Sequence, residues 1–333
     1  MKPSSTTGRR NFLRASAAAG AGLLLSPHWS FASKNPNSRF GGVQVGAITY
    51  SFRSMPGSID QLIEYCTNCG ISAIELMGDP AEAWAGSPAG LMPPMVPPPP
   101  GSGPPKFTPE MRKAFEERAL KARPWRESVG IEKFIELKKK FDQAGISIYA
   151  YKPDALNENS SDGEINYAMR AAKALGATSV TVELPRNSAH SKRLGDFGAV
   201  HQIYIGYHAH TQATDTAWDE ALAQSPWNSL NLDCGHYIAA GGNNTKESLL
   251  ALIEAKSSRI TSMHIKDRQT KEHGAANLEW GKGDTPIREI LMLMKARKFK
   301  FPATIELEYE VPAGSDAVAE VKKCVGFART VLS

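Results

Sequence analysis

Six short pieces of this chain hold acids and imidazoles where chemistry needs them. AIELM carries Glu75, VELP carries Glu183, GYHAHT carries His208 and His210, and LDCGHY carries Asp233 and His236. MHIKD adds His264, Lys266 and Asp267, and IELEYE adds Glu306 and Glu308. Each alone has an ordinary explanation, as a hydrogen-bonded core histidine or a salt-bridged acid at a rim. What sets them apart is a shared position: Glu75, Glu183, His208, Asp233, His264 and Glu306 all fall late in short apolar runs. Carboxylates are almost never buried without a partner, so a fold that gathers these run ends must offset their repulsion. A divalent cation does so economically, because it balances the carboxylates and occupies imidazole lone pairs. Mixed nitrogen and oxygen donors with open positions suit Mn²⁺, Co²⁺, Zn²⁺ or Mg²⁺. Such an ion, chelated by neighbouring carbonyl and hydroxyl oxygens, acidifies the adjacent C–H and stabilises an enediolate; a nearby carboxylate can then move the proton.

The runs that must position these residues are GVQVGAITY (42–50), SAIELM (72–77), ISIYAY (146–151), SVTVEL (179–184), IYIGYHAH (203–210), LNLDCG (230–235), ITSMHIK (260–266) and ATIELEY (303–309). Amphipathic segments separate them, with recognisable ends. Ser58 caps SIDQLIEYCTNC before Gly70, Asp162 caps a run reaching Leu175, Thr245 caps KESLLALIEA, and Pro286 suits the first turn of IREILMLMKA. Strands alternating with helices imply parallel βα units. In a (β/α)₈ TIM barrel the strand C-terminal ends converge on one mouth, where active sites sit. A doubly wound sheet would want a Gly-rich turn after its first strand, and AITYSFRSMPG is not GxGxxG. The chain is therefore expected to be α/β, with one barrel domain over 40–333. The Pro/Gly-dense stretch 87–109 is incompatible with helix or strand. It follows the second strand, so it should rim the mouth, as a surface insertion or as a substrate lid.

Length and composition agree with one large core: 333 residues, 41% of them hydrophobic, are what a single barrel can use. The formal net charge of +5 comes mostly from Lys2, Arg9, Arg10 and Arg14, which no acid offsets in the first 33 residues, so the remainder carries only +1. That argues against a nucleic-acid binder, which needs a basic stripe. The leader GRRNFLRASAAAGAGLLL sets Arg9-Arg10 and Phe12-Leu13 before an Ala/Gly-rich run too short and mild for a membrane span. Ser30-Phe31-Ala32 offers a small-x-small cleavage site. Residues 1–32 resemble a bacterial twin-arginine signal, which implies the Tat export machinery as a partner and a periplasmic destination for an already folded protein. Cys66, Cys69, Cys234 and Cys324 read as small core residues, since Cys66-x-x-Cys69 lies in a helical pattern with no second pair.

Taken in order, GYHAHT, LDCGHY, MHIKDR and IELEYE, together with AITYSFR, AIELMG and WGKGDTP, resemble the xylose-isomerase-like TIM barrels of sugar phosphate isomerases and epimerases, over about residues 42–332. The resemblance implies one metal held by strands five to eight: His208 or His210, then Asp233, His264 and Glu306, with Glu306 favoured over Glu308. Glu183 stands as an extra ligand or as a base, because the strand-five acid of the sugar epimerases is replaced here by histidine. Glu306 is the other candidate base. The resemblance also implies that His236 contacts substrate oxygens. Lys152 and Lys266 stand at strand ends, where they can bind a carbonyl or hydroxyl oxygen, and Tyr50, Glu75, Asp267 and Glu308 complete the expected substrate contacts. Trp84, Trp280 and Tyr50 suit a platform for a sugar ring, or core packing.

The implied activity is a metal-dependent sugar isomerase or epimerase acting through an enediolate on a keto- or aldo-sugar. Loss of a β-hydroxyl from the same enolate would instead make the protein a lyase or hydratase on a 3-keto-glycoside or keto-inositol. Export weighs towards the latter, because phosphorylated sugars are scarce outside the cytoplasm. A third reading is an exported sugar-binding protein with an inactive site. A homo-oligomer is compatible with all three.

Overall fold

Most strand positions are buried, as expected where helices cover the outside of a parallel sheet, and β-branched and aromatic residues recur in most of the strands. The computed structural model describes residues 35–95 and 108–333. Its barrel strands are β1 Val43–Ile48, β2 Ala73–Met77, β3 Ser147–Lys152, β4 Ser179–Glu183, β5 Tyr204–His208, β6 Asn228–Asp233, β7 Ile260–Ile265 and β8 Ala303–Ile305. Each pairs in parallel with its sequence neighbour, and β8 closes the ring against β1. The eight strands therefore form a closed (β/α)₈ barrel.

The helices around it are α1 Ile59–Cys69, α2 Gly78–Trp84, α3 Pro109–Ser128, α4 Glu132–Gln143, α5 Asp162–Ala174, α6 Ser188–His201, α7 Asp219–Gln224, α8 Cys234–Ala240, α9 Lys246–Ala255, α10 Ile287–Arg297 and α11 Ala317–Leu332. Ser58 and Thr245 cap α1 and α9 through capping boxes. Two expected helix starts move by one residue. Ser161 rather than Asp162 caps α5, because its hydroxyl accepts the Glu164 N–H while Glu164 returns to the Ser161 N–H. Pro286 takes the cap position of α10 instead of its first turn.

Several strands end earlier than their apolar runs suggest, three of them at residues of the candidate site or just before one. β5 stops at His208, β8 at Ile305, and β6 at Asp233. The Asp233 carboxylate accepts the His236 N–H at 2.7 Å, which turns the chain from strand into α8. LDCGHY is thus a strand end fused to a helix start.

Residues 87–95 carry neither helix nor strand, and α3 begins at Pro109 with Thr108 as its cap. The remainder of the Pro-rich stretch, 96–107, and the twin-arginine leader lie outside the described residues. α3 is charged on most faces and is docked by ions. Arg126, 4% exposed, grips Glu82 at 2.9 and 3.0 Å and reaches Glu164 at 3.3 Å. Arg118 ties the loop to α3 through Asp79 and the carbonyls of Ala89 and Gly90. The four cysteines are free and buried. Among the described residues, no helix is long and apolar enough to cross a membrane.

Candidate metal and sugar site

The C-terminal ends of β5 to β8 build the cluster, and register decides which side chains meet. His208 lies opposite Asn231. The Asn231 amide nitrogen donates to Ser262 Oγ at 2.8 Å and to Glu75 Oε2 at 3.1 Å, so its oxygen faces His208 and accepts the Nδ1–H at 3.1 Å. The Nε2 lone pair is left facing Asp233, 4.0 Å from Oδ2. Burial pushes His208 down to about 3, so the ring is a neutral donor.

His264 is oriented the same way by a different partner. Glu75 reaches across the barrel from β2 and holds Nε2 at 2.9 Å, leaving Nδ1 3.0 Å from Glu306 Oε2 and 3.9 Å from Asp233 Oδ2. A carboxylate behind a ligating histidine is a recurrent way of fixing ring orientation and basicity. Burial alone would lower His264, but Glu306 and Glu75 outweigh it and raise the imidazole to about 10.

Asp233 Oδ2, His264 Nδ1 and Glu306 Oε2 are buried and have no hydrogen bond of good geometry; what reaches them are ion-pair contacts, His264 to Glu306 and Lys266 to both carboxylates. Buried polar atoms held without well-aligned hydrogen bonds are costly, and these three face one another with His208 Nε2 beside them. The donor set therefore fits one divalent cation of the kind that takes mixed nitrogen and oxygen ligands. His208, Asp233 and His264 offer ligand atoms all within 4.8 Å of one another, as do His208, His210 and His236. The first trio is wholly buried, whereas the His210 side chain is 53% exposed and turned towards Glu183 at 3.6 Å.

Lys266 crosses the same space. Its ammonium lies 2.9 Å from Asp233 Oδ2 and 2.7 Å from both Glu306 Oε2 and Glu308 Oε2. Burial opposes its charge, yet these three carboxylates hold it above the ordinary lysine value. Gly235 makes room for it, since a Cβ there would sit 2.3 Å from Lys266 Cγ. His236 has Lys266 Nζ at 3.1 Å on Nε2 and Arg268 Nη1 at 2.6 Å on Nδ1. Both neighbours only donate, and a neutral imidazole accepts at one nitrogen, so one of the two contacts is not a hydrogen bond. Burial and Lys266 lower His236 to about 2.

Lys152 pairs with Glu183 at 2.9 Å at the mouth. Burial would raise Glu183, but the Lys152 ammonium beside it outweighs burial and lowers it to about 2. This pair and Tyr50, whose ring carries the Arg53 guanidinium at 4.4 Å, border a cavity of about 980 Å³.

Several expected contacts fall elsewhere. Glu75 is 0% exposed; it positions His264 and does not face a substrate. Asp267 accepts N–H groups of Gly281, Gly283 and Thr285 at 2.7, 3.0 and 3.2 Å. It thus fixes the WGKGDTP loop and is spent there. Trp84 and Trp280 pack against the core. Asn231 and Arg268, absent from the sequence-derived set, both touch site histidines. Alternation along LNLD places Asn231 on the face of Asp233, a usable signal that its lack of charge conceals.

No curated protein matches this chain. Among solved structures, it is similar to the probable 3-DHS dehydratase involved in petrobactin synthesis from Bacillus anthracis, at 14% identity over 85% of this chain and 97% of that one, TM-score 0.57. A sugar phosphate isomerase/epimerase from Parabacteroides distasonis is similar at 16% identity over 88% and 96%, TM-score 0.55. A xylose isomerase-like TIM barrel protein from Mycobacterium smegmatis in complex with magnesium is similar at 13% over 87% and 96%, TM-score 0.54. At such identities the likeness is one of fold. The sequence goes further, because residues 113–327, well over half of the chain, match a family directly. With that match and the closed barrel together, the chain belongs to the xylose isomerase-like TIM barrel family.

Proposed function

We propose that the protein is a metal-dependent sugar isomerase or epimerase. The observation that carries this reading is the convergence of Asp233 Oδ2, His264 Nδ1 and Glu306 Oε2, buried and held by ion-pair contacts with no well-formed hydrogen bond, at the barrel mouth. His208, Asp233, His264 and Glu306 would hold Mn²⁺, Co²⁺, Zn²⁺ or Mg²⁺. The ion, when bound, supplies Lewis-acid polarisation of a sugar carbonyl and charge stabilisation for an enediolate.

The remaining work falls to the chain's own side chains. Lys266, held charged by its three carboxylates, donates to a substrate oxygen beside Glu308. His236, kept neutral, accepts from a hydroxyl when Lys266 turns to the substrate. Glu183 is ionised at neutral pH but weakly basic while it faces Lys152. A substrate oxygen that draws Lys152 away raises that basicity at the moment a C–H proton must be taken. Return of the proton to the adjacent carbon is isomerisation, and return to the opposite face is epimerisation. Tat-dependent export to the periplasm belongs to the same proposal and is tested by fractionating cells that express the full chain with Arg9 and Arg10 replaced by lysine.

The catalytic test is NMR of a panel of keto- and aldo-sugars incubated in heavy water with metal-loaded protein. Deuterium should enter beside the carbonyl, with an isomer or epimer as product. Glu183→Gln should slow exchange by about 10²-fold or more with bound metal unchanged. A product short of one water, with no isomer at any time, would replace this reading by the lyase.

A further inference from the structure

The cavity of about 980 Å³ continues away from the metal-type donors, and its far walls have a different character. Lys152, Glu183 and Tyr50 form its border with the site. Beyond them Leu62, Met92, Met95, Met111, Leu156 and Leu184 line it. Of the charged groups that also border it, Arg118 pairs with Asp79, Arg126 pairs with Glu82, and Arg53 donates to the carbonyls of Tyr50 and Leu307; Asp154, Glu158 and Arg186 complete the charged part of the border, apart from this apolar wall.

Such a wall does not suit a sugar ring. A sugar hydroxyl buried without a hydrogen-bond partner is costly, and these side chains offer none. The volume lies at the upper end of the roughly 300–1,000 Å³ found for small-molecule pockets, and because none of the metal-type donors lines it, it is room beyond what a sugar ring at those donors would fill. Methionines make the lining adaptable, since the unbranched thioether fits varied apolar shapes and contacts aromatic rings favourably.

We propose that this chamber receives an apolar substituent, aryl or alkyl, carried by the sugar that the metal site processes. The substrate class is then a substituted sugar, with its ring between Lys152–Glu183 and the metal donors and its apolar group under the α2–α3 segment. This rests on the sugar reading for the ring but on the chamber alone for the substituent. The loop 87–95 and α3, which supply Met92, Met95 and Met111, become specificity-determining elements. Arg118 and Arg126 hold them in place.

Calorimetric titration of metal-loaded protein with 4-nitrophenyl β-D-glucoside and with methyl β-D-glucoside isolates the substituent, because the two differ only there. The aryl glycoside should bind at least tenfold more tightly. Met111→Glu and Met95→Gln, each checked for an unchanged melting temperature, should reduce that preference tenfold and leave the methyl glycoside unaffected. Free 4-nitrophenol should bind the native protein and compete with the aryl glycoside. Equal affinity for the two glycosides, including no binding of either, overturns the proposal, as does a preference that survives both substitutions. Failure of hydrogen exchange on every sugar, with the aryl preference intact, would remove the isomerase reading and leave the chamber as assigned.

Discussion

At the scale of single residues, His264 governs the pH behaviour of the whole centre. Bracketed by Glu306 and Glu75, it is raised to about 10, so the metal-free protein holds a proton there at neutral pH. A metal that ligates through Nδ1 must displace that proton. The sign follows directly. Below about pH 10 each rise in pH weakens proton competition, so apparent metal affinity should climb by up to about tenfold per unit for one proton. His208, pushed down to about 3, adds nothing in that range. Titration of Mn²⁺ between about pH 6 and 8, in two buffers of different protonation enthalpy, should return roughly one proton released per ion. Affinity that stays flat with pH would remove His264 from the ligand set. The gathering of His208, Asp233, His264 and Glu306 at one end of the strands was legible from their place late in apolar runs, whereas their reading as candidate ligands came from the family resemblance. The work of Glu75 was not, because its reach to His264 joins β2 to β7, strands that are not neighbours in the ring. Only closure of the barrel brings them together, and no local pattern encodes that closure.

Among the elements, the strands and α1, α5, α9 and α10 announce themselves through apolar periodicity and end signals, whereas α3 does not. Only Ala122 and Arg126 of its twenty residues are buried, so it has almost no apolar stripe to read. Its attachment is ionic and long-range. Arg126 meets Glu82 of α2 and Glu164 of α5, and Arg123 also reaches Glu164 at 3.0 Å. Replacing one partner of a buried pair leaves the others charged and dry, at a cost of about 3–5 kcal/mol. Arg126→Met should therefore destabilise the protein by about that amount, read as a fall in the urea midpoint. The double variant with Glu82→Gln should recover part of the loss, because fewer unpaired carboxylates remain. A single-variant loss under about 1 kcal/mol, the range of exposed pairs, would show that α3 is not anchored there. The same physics explains why LDCGHY reads as a strand through Gly235: the helix start is set by the Asp233 carboxylate, which serves as ligand candidate and helix cap at once.

For the whole molecule, the candidate metal donors come one each from β5, β6 and β7 and from the segment just after β8, so a bound ion would tie the second half of the barrel together at its mouth. Without it, Glu75, Asp233, Glu306 and Glu308 face Lys266 and a protonated His264, an excess of negative charge in a region where Asp233 and Glu75 are 0% exposed. Binding to the folded state alone adds RT ln(1 + [L]/Kd), about 2.7 kcal/mol at a hundredfold excess over Kd. Domains of ~150–250 residues gain roughly 2–4 °C of Tm per kcal/mol, and a larger chain gains somewhat less, so saturation should raise Tm by several degrees. Thermal melts of chelator-stripped protein, titrated in turn with Mn²⁺, Co²⁺, Zn²⁺ and Mg²⁺, measure this directly. The rise should be smaller in Asp233→Asn and His264→Gln than in the native chain, and smaller at about pH 6 than at pH 8, because the proton on His264 competes. If none of the four ions moves Tm in the native protein, the carboxylates of Asp233 and Glu306 must be served by Lys266 and the protonated His264. The barrel mouth would then be an ion-paired cluster with these two side chains as its cations.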